Sequence, residues 1–213
     1  MIKVSVVIPV YNREREIKEC IESVQRQTIR QIEIICIDDG STDSTVSIIK
    51  KMKEEDDRIS LIEQKHAGPG AARNRGIELA QGEYMCFLDS DDYYYDNDSL
   101  ECMYDTCNKY GMNACCSEIY IEQGTNQMVK HECDVNDLVP DNVIFFSETQ
   151  ICRGFIAFIF KTSFIKKSGV KFPTIYRYED PVFLAHTLFL CEQYYKVSKK
   201  FYVIRKKYKD SCL

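Results

Sequence analysis

The chain carries the stretch IEIICIDDGSTD at Ile32–Asp43, in which an apolar run, interrupted only by Glu33, ends in two aspartates and a glycine. Such runs are typical of strands buried on both faces, as in parallel sheets with helices on each side. Ile32–Ile37 is therefore predicted to form a strand. A helix over Asp43–Glu55 is predicted next, because apolar residues recur at helical spacing behind a capping Ser41 or Thr42.

The same alternation extends on both sides of this stretch. It predicts the strands Val4–Val10, Ile59–Glu63 and Tyr84–Leu88, and the helices Arg13–Gln27 (capped by Asn12), Pro69–Ala80 and Leu100–Tyr110. Strands that alternate with helices form a mainly parallel, Rossmann-like sheet covered by helices, so the expected fold class is α/β. Ligands bind such sheets beyond the carboxyl ends of the strands, and residues there are the first candidates for function.

The second half of the chain is less regular. It predicts the strands Ala114–Glu122, Phe155–Phe160 and Tyr195–Arg205, a turn at Gly124–Asn126, and the helices Thr162–Lys167 and Tyr178–Cys191. On the last helix, Phe183, Leu190 and either His186 or Thr187 are expected on the buried face. At about 100–200 residues per domain, the whole chain fits one domain.

Composition and charge exclude several classes of protein. Hydrophobic residues make up 45% and charged residues 29%, which excludes a disordered chain. The formal net charge is −5, so nucleic acid is not an expected partner. Lys196–Lys209 nevertheless holds seven basic residues and no acidic one. Three interpretations stay open: a solvated basic face, peripheral contact with anionic membrane lipids, and diphosphate binding through Arg205.

The cysteines and the N-terminus favour a cytoplasmic protein. No apolar run reaches the ~20 residues that span a bilayer, and the N-terminal residues are expected to form a strand and not a signal peptide. Eleven cysteines occur without a C-x-x-C pair, several of them inside apolar runs. They are interpreted as reduced, buried thiols, and a zinc site is the less favoured alternative.

Asp38 and Asp39 follow the second predicted strand directly. A carboxylate at the end of a strand faces the crevice of the sheet, where it can accept a hydrogen bond from a base or a ribose. Helix capping and turn chemistry are the alternative explanation, and they suit Ser41 and Asp43.

A second acidic cluster, Asp89, Asp91 and Asp92, follows the strand Tyr84–Leu88. Close carboxylates repel one another unless a cation or hydrogen-bond donors neutralise them. Their hard oxygens favour Mg²⁺ or Mn²⁺, with substrate phosphates and water as the remaining ligands. A solvated acidic turn is the alternative.

The segment GPGAARNRG at Gly68–Gly76 opens a predicted helix with small residues. A helix N-terminus of this kind favours anions, and Arg73 is placed to meet a phosphate or a carboxylate. The segment lacks the Gly-Lys-Ser/Thr of a Walker A loop, and the dinucleotide pattern is absent after the first strand. Tight helix packing is a second, compatible interpretation.

Taken together and in order, these segments resemble the inverting family-two glycosyltransferases of GT-A fold, of the bacterial cell-surface polysaccharide type. The resemblance runs through VSVVIPVYN at Val4–Asn12, IDDGSTD at Ile37–Asp43, GPGAARNRG at Gly68–Gly76, FLDSDD at Phe87–Asp92, YEDPVF at Tyr178–Phe183, and YVIR to serine at Tyr202–Ser211. It covers essentially the whole chain.

The resemblance implies a nucleotide-binding site in the first half of the chain. Pro9, Tyr11 and Asn12 would line the pocket for the base, with Tyr11 against its ring. Asp39 would contact the base, which is usually uracil in this family. Arg73 would organise the nucleotide end.

The resemblance also implies the residues of the reaction. Asp89 and Asp91 would form the D-x-D motif that holds Mn²⁺ or Mg²⁺, with Asp91 the more direct metal ligand and Asp89 also a contact for the nucleotide. Asp180 would be the general base, and Glu179 would position the acceptor or the sugar. Arg205 would lie over the diphosphate from a C-terminal loop.

The implied function is metal-dependent transfer of one sugar, with inversion, from a nucleotide sugar to a saccharide or lipid-linked acceptor. UDP is the expected nucleotide. The single domain 1–213 would comprise a nucleotide-sugar-binding half, about 1–112, and an acceptor-side half with the C-terminal loop, about 113–213. Two alternatives stay open: a non-catalytic nucleotide-sugar-binding or scaffold subunit of a larger assembly, and a nucleotidyltransferase.

Two further features have open interpretations. Tyr93–Tyr95 either packs beneath the edge of the sheet or stacks on a sugar ring. His186 is either a packed or partly exposed residue, which is favoured, or a contact for the metal or the diphosphate.

Overall fold

A computed structural model describes residues 1–123, 127–130, 141–149, 154–175 and 178–205. The strands there are β1 Val4–Val10, β2 Ile32–Asp38, β3 Ile59–Glu63, β4 Tyr84–Phe87, β5 Tyr93–Tyr94, β6 Ala114–Gln123, β7 Gln127–Lys130, β8 Asn142–Phe145, β9 Phe158–Lys161 and β10 Gln193–Arg205. The helices are α1 Ile17–Gln25, α2 Thr45–Glu55, α3 Pro69–Leu79, α4 Ser99–Tyr110, α5 Phe146–Thr149, α6 Thr162–Ser168 and α7 Glu179–Cys191, with a 3₁₀ turn at Phe155–Ala157.

These strands form one sheet in the order β3-β2-β1-β4-β9-β6-β10-β5, with β7 beside β6 and β8 beside β10. The pairs among β1 to β4 are parallel, as the alternation of strands and helices predicts. In the second half, β9 is antiparallel to β4 and β6, whereas β10 is parallel to β6. The sheet is therefore Rossmann-like on one side and mixed on the other, and it runs through both halves of the chain.

The apolar runs form strands because both faces of the sheet are covered. All seven residues of β1 are buried, and six of the seven residues of β2 are buried. The predicted inward residues of α1 and α4 are also buried, among them Ile17, Ile21 and Leu100. Burial of these side chains removes apolar surface from water and stabilises the layered fold.

Helix α3 lies so close to β1 that only glycine fits at residue 76. A Cβ atom on Gly76 would lie 2.2 Å from Cγ1 of Val7. We expect Gly76→Ala to lower the free energy of unfolding by about 3 kcal/mol, since the helix or the strand must shift to admit the methyl group. Urea denaturation measures this change.

Gly70→Ala is the matched control for this substitution, because Gly70 lies on the same helix. The nearest atom to its added Cβ is 3.3 Å away, the backbone oxygen of Pro173. We expect a loss of at most ~1 kcal/mol there, as neighbours need to move only slightly. Equal losses in the two variants would contradict the close packing of α3 on β1.

Several predicted boundaries differ from those observed. Helix α1 begins at Ile17 and not at Arg13, and Asn12 does not cap it. Helix α2 begins at Thr45, where the carboxylate of Asp43 accepts a hydrogen bond from the Thr45 backbone. These helices start late because their preceding residues form hydrogen-bonded turns with each other.

The second half shows two larger differences. Phe155–Ala157 is a 3₁₀ turn, so only the end of the predicted strand Phe155–Phe160 lies in the sheet. On α7, Thr187 is buried and Leu190 is 40% exposed, so Leu190 does not belong to the inner face. The turn predicted at Gly124–Asn126 lies outside the described residues.

All eight cysteines in the described part of the chain are free thiols, and seven of them are buried. Cys36 and Cys86 lie in β2 and β4, and burial raises the pKa of each thiol to about 12. A thiol with so high a pKa stays protonated and unreactive near neutral pH. These cysteines pack the core, as expected from their apolar surroundings.

The basic stretch Lys196–Lys209 is not a continuous solvated face in its described part. It lies on β10, an interior strand, so alternate side chains enter the layers on either side. Lys196 is buried, and Lys199 pairs with Asp98 at 2.6 Å. The residues after Arg205 lie outside the described ranges, so membrane contact stays a prediction. No helix within these ranges has the length and apolar character to cross a bilayer.

Candidate functional site

A cavity of about 300 Å³ lies at the carboxyl ends of β1, β2 and β4. It is lined by Pro9, Val10, Tyr11, Arg13, Asp39, His66, Pro69, Ala72, Arg73, Asp89, Ser90 and Asp91. The parallel strands bring these residues together from four separate segments, at the edge where α/β sheets bind ligands. Six residues with predicted roles line this cavity, and they are Pro9, Tyr11, Asp39, Arg73, Asp89 and Asp91.

One end of the cavity is aromatic. The rings of Tyr11 and His66 lie 4.5 Å apart between centroids, with an angle of 34° between their planes. Tyr11 is 42% exposed, so a face of this pair is open to a planar ligand. His66 had no predicted role, because a single histidine in a loop carries no pattern that distinguishes it.

Asp39 is buried beneath this aromatic end and organises the loop before α3. Its Oδ1 accepts hydrogen bonds from the Gln64 side chain and the Ala67 backbone, and its Oδ2 accepts one from Gly68. Oδ2 also lies 2.8 Å from Nδ1 of His66. A nucleotide base that contacts the Asp39 carboxylate would therefore also contact the His66 imidazole beside it.

Asn12 lies beside the cavity but outside its lining. Its φ of +50° is in the left-handed region, where asparagine is one of the few tolerated residues. Its backbone N–H donates to Ser41 Oγ, and its side-chain oxygen accepts from the Thr42 backbone. Asn12 thereby fixes the turn after β1, and its contact with the nucleotide stays a prediction.

The other end of the cavity is charged, and Arg73 is its centre. Its Nη2 donates to Asp89 Oδ1 at 2.8 Å and its Nη1 to Glu179 Oε1 at 3.0 Å. Burial alone would lower the pKa of Arg73, but the charges and hydrogen bonds of the two carboxylates outweigh it and raise that pKa. This three-residue network joins the D-x-D loop to the first turn of α7.

Asp180 follows Glu179 in the first turn of α7, where a helix N-terminus stabilises negative charge. Burial raises the pKa of Asp180 above its ordinary value, and the charges of Glu179 and Asp89 raise it further, whereas Arg73 opposes them. A carboxylate with a raised pKa is a stronger base than an exposed one, so Asp180 has the properties of a proton acceptor.

Asp92 connects the D-x-D loop to β10. It accepts hydrogen bonds from the Tyr202 hydroxyl at 2.8 Å and from the Arg205 backbone at 2.9 Å, and burial raises its pKa to about 7. The same Tyr202 hydroxyl accepts a hydrogen bond from the Asp89 backbone. Strand β10 thereby fixes the position of the loop that carries Asp89 and Asp91.

Asp91 is the carboxylate best suited to a divalent cation. It lines the cavity and lies 3.6 Å from Nη2 of Arg13, whereas Asp89 is held more closely, at 2.8 Å, by Nη2 of Arg73. No group of three or more histidine, cysteine or acidic side chains in the described ranges forms a ready metal cage. Carboxylate oxygens at a cavity wall fit an ion such as Mg²⁺ or Mn²⁺ that completes its shell from substrate phosphates and water.

Arg205 is not part of the cavity lining. Its guanidinium binds Glu19 at 2.8 Å and lies over the Tyr93 ring at 5.2 Å from the centroid. Tyr94 is buried and stacks on Phe201, so the packing interpretation of the tyrosine run holds at this residue. His186 is exposed on α7, which agrees with its favoured interpretation.

Comparison with known proteins shows the family to which this chain is similar. The model described as Glycosyl transferase family 2 matches residues 5–166. The poly(ribitol-phosphate) beta-glucosyltransferase of Bacillus spizizenii is 36% identical over 189 residues, which are 85% of this chain and 28% of that protein. The chain thus spans little more than a quarter of the length of this curated relative.

Solved structures share the fold at low sequence identity. S. aureus TarS 1-349 in complex with UDP-GlcNAc matches with a TM-score of 0.86 at 23% identity, over 98% of this chain and 60% of that one. The mannosyltransferase PcManGT from Pyrobaculum calidifontis, in complex with GDP-Man and Mn²⁺, matches with a TM-score of 0.73 at 18% identity, over 99% and 58%. The α/β fold of GT-A type is thereby confirmed, and the match over residues 5–166 shows that this chain belongs to glycosyl transferase family 2.

Proposed function

We propose that this chain is a metal-dependent, inverting glycosyltransferase that moves one sugar from a UDP-linked donor to a saccharide or lipid-linked acceptor. One observation carries the proposal. The cavity is lined by the Tyr11–His66 ring pair and by the carboxylates of Asp89 and Asp91, and the order β3-β2-β1-β4 places the segments of His66 and Asp89 on opposite sides of β1. A nucleoside diphosphate has the matching shape, with a planar base at one end and phosphates at the other.

The reaction we propose is a single displacement at the anomeric carbon of the donor. The acceptor hydroxyl attacks from the face opposite the leaving nucleoside diphosphate and loses its proton to Asp180. The raised pKa of Asp180 suits it to accept that proton near neutral pH. One displacement inverts the anomeric centre and needs no covalent intermediate with the protein.

Glu179 and Arg73 position the reacting groups in this scheme. The Arg73 guanidinium holds Glu179 on one side and Asp89 on the other, so the acceptor side and the donor side share one rigid contact. Asp91 would hold a divalent cation, which would supply electrostatic stabilisation of the negative charge on the leaving group. Negative charge on Asp89 and Asp91 alone would repel the diphosphate.

The arrangement of the whole chain belongs to the same proposal. Residues 1–112 form the donor-binding half and residues 113–213 the acceptor side of one domain. The relative from Bacillus spizizenii is named for a poly(ribitol-phosphate) acceptor, which supports a role in the synthesis of a cell-surface polymer. We place the reaction in the cytoplasm, where nucleotide sugars are made, and at the inner face of the membrane when the acceptor is lipid-linked.

Release of UDP from a panel of UDP-sugars tests this function directly. We expect the purified protein to release UDP in the presence of Mn²⁺ and an acceptor extract, and to lose the activity when EDTA is added. Asp91→Asn is expected to lower the rate about 10²-fold, because the leaving group loses its charge stabilisation. Asp105→Asn, at an exposed position on α4, is the matched control and keeps full activity.

Two outcomes contradict the proposal. Full activity in Asp91→Asn would exclude Asp91 as the metal ligand. Absence of UDP release from every donor, with UDP still bound, would favour a non-catalytic nucleotide-sugar-binding subunit.

A further inference from the structure

Arg13 is the second arginine of the cavity, and neither the family resemblance nor the proposed mechanism gives it a role. It follows Asn12 in the turn between β1 and α1, with 31% of its side chain exposed. Its Nη2 lies 3.6 Å from Asp91 Oδ2, which makes an ion pair but is too long for a strong hydrogen bond. Its Nη1 donates to the backbone oxygen of Asn12 at 2.9 Å.

The turn holds the Arg13 backbone firmly in place. The Arg13 N–H donates to Thr45 Oγ1 at 2.7 Å, and the preceding Asn12 is fixed from both sides by Ser41 and Thr42. The left-handed conformation of Asn12 persists because these contacts over-determine it. The side chain of Arg13 thus enters the charged end of the cavity from a rigid support.

Arg13 has hydrogen-bonding capacity that the described residues leave unused. Its Nε is buried and meets no acceptor among them. A guanidinium carries five N–H donors in a planar fork, and one donor buried without an acceptor is unfavourable. An acceptor supplied by a ligand would satisfy it.

Arg73 also has a buried Nε with no acceptor among the described residues, but its guanidinium is less able to bind a ligand. Both of its terminal nitrogens are engaged, one by Asp89 and the other by Glu179. Its side chain is only 7% exposed, so it acts as a counter-ion inside the wall of the cavity. Of the two arginines, Arg13 is therefore the one whose guanidinium group can reorient toward an anion that enters the cavity.

We propose that Arg13 binds the diphosphate of the donor and pairs with Asp91 when the donor is absent. The proposal rests on the proposed function, since it assigns a contact to the same donor. Planar guanidinium groups bind phosphate oxygens with two parallel hydrogen bonds, which an ammonium group cannot reproduce. Movement of Arg13 from Asp91 to the phosphates would leave the Asp91 carboxylate to the divalent cation, so donor and metal would bind cooperatively.

Titrations with UDP and with uridine, monitored by amide NMR chemical shifts, measure the affinity of each ligand. Buffer that contains EDTA removes divalent cations, so the contribution of Arg13 is measured without the metal. We expect Arg13→Ala to weaken UDP binding about 10- to 100-fold, the usual range for a hydrogen-bonded charge contact, and to leave uridine binding unchanged. Arg13→Lys should restore part of the loss, because it returns the charge without the fork. Arg15→Ala, at an exposed position two residues along, is the matched control and should bind both ligands as the wild type does.

The outcomes separate this proposal from the proposed function. Unchanged UDP affinity in Arg13→Ala, or equal losses for UDP and uridine, overturns the role of Arg13 while the wild type still binds its donor. A wild type that binds neither ligand contradicts the proposed function itself. Amide spectra of the ligand-free variants show whether the fold is retained, and Arg13→Gln serves as a second neutral variant if Arg13→Ala does not fold.

Discussion

Replacing Asp180 with asparagine is expected to lower the rate of sugar transfer by about 10²–10⁴-fold, the usual contribution of a positioned general base. Asparagine has nearly the same shape as aspartate but accepts no proton. The donor site lies at the other side of the Arg73 network, so the affinity for UDP should stay within about twofold of the wild type. Transfer kinetics and UDP titration on the same protein sample measure both quantities.

The pH dependence of transfer gives this prediction a second test. The rate falls as the pH drops through the pKa of Asp180, because the protonated carboxyl cannot accept a proton. Burial and the neighbouring carboxylates raise this pKa, so the acid limb should lie above the range of an exposed aspartate. The residual transfer rate of Asp180→Asn should not show this fall at low pH, because the variant lacks the titrating carboxyl group. Persistence of full transfer in this variant would require another base.

Replacing Arg73 with methionine is expected to lower the free energy of unfolding by about 3–5 kcal/mol, the usual cost of removing one partner of a buried ion pair. Methionine keeps much of the side-chain volume but leaves Asp89 and Glu179 without their shared counter-ion. Arg73 is 7% exposed and the Glu179 side chain 12%, so water compensates poorly for the loss. Urea denaturation at pH 7 measures the change.

Arg75→Met is the matched control, because it makes the same change on the same helix. Arg75 pairs with Glu78 at 3.1 Å, but both side chains are about half exposed, at 49% and 48%. Exposed pairs contribute little, so we expect a change within about 0.5 kcal/mol. A loss below ~1 kcal/mol in Arg73→Met would show that the network adds little to stability.

The first half of the fold could be predicted because its strands are apolar on both faces. Val4–Val10 and Ile32–Ile37 appear in the sequence as apolar runs that only Ser5 and Glu33 interrupt, and each is followed by a helix. The second half lacks this signal. Phe155–Ala157 is as apolar as a strand, yet it turns in a 3₁₀ helix, since a short apolar run carries no period that distinguishes the two.

Residue types alone made the acidic and glycine-rich segments of the candidate site predictable, and the family resemblance added Pro9 and Tyr11. The residue types at strand ends place Asp39, Asp89 and Asp91 near one another without further information. The contacts that connect them join residues far apart in sequence, such as Arg73 to Glu179 and Asp92 to Tyr202. No local pattern indicates such pairs, so the network became apparent only in three dimensions.

The central claim is that the cavity binds a nucleoside diphosphate together with a divalent cation. Thermal unfolding in the presence of UDP, GDP, CMP or dTDP, each with and without Mn²⁺, tests it most directly, because a ligand that binds only the folded state raises the midpoint. We expect a rise with UDP that Mn²⁺ enlarges, and the Mn²⁺-dependent part should be lost in Asp91→Asn. No rise with any of the four nucleotides would contradict the account.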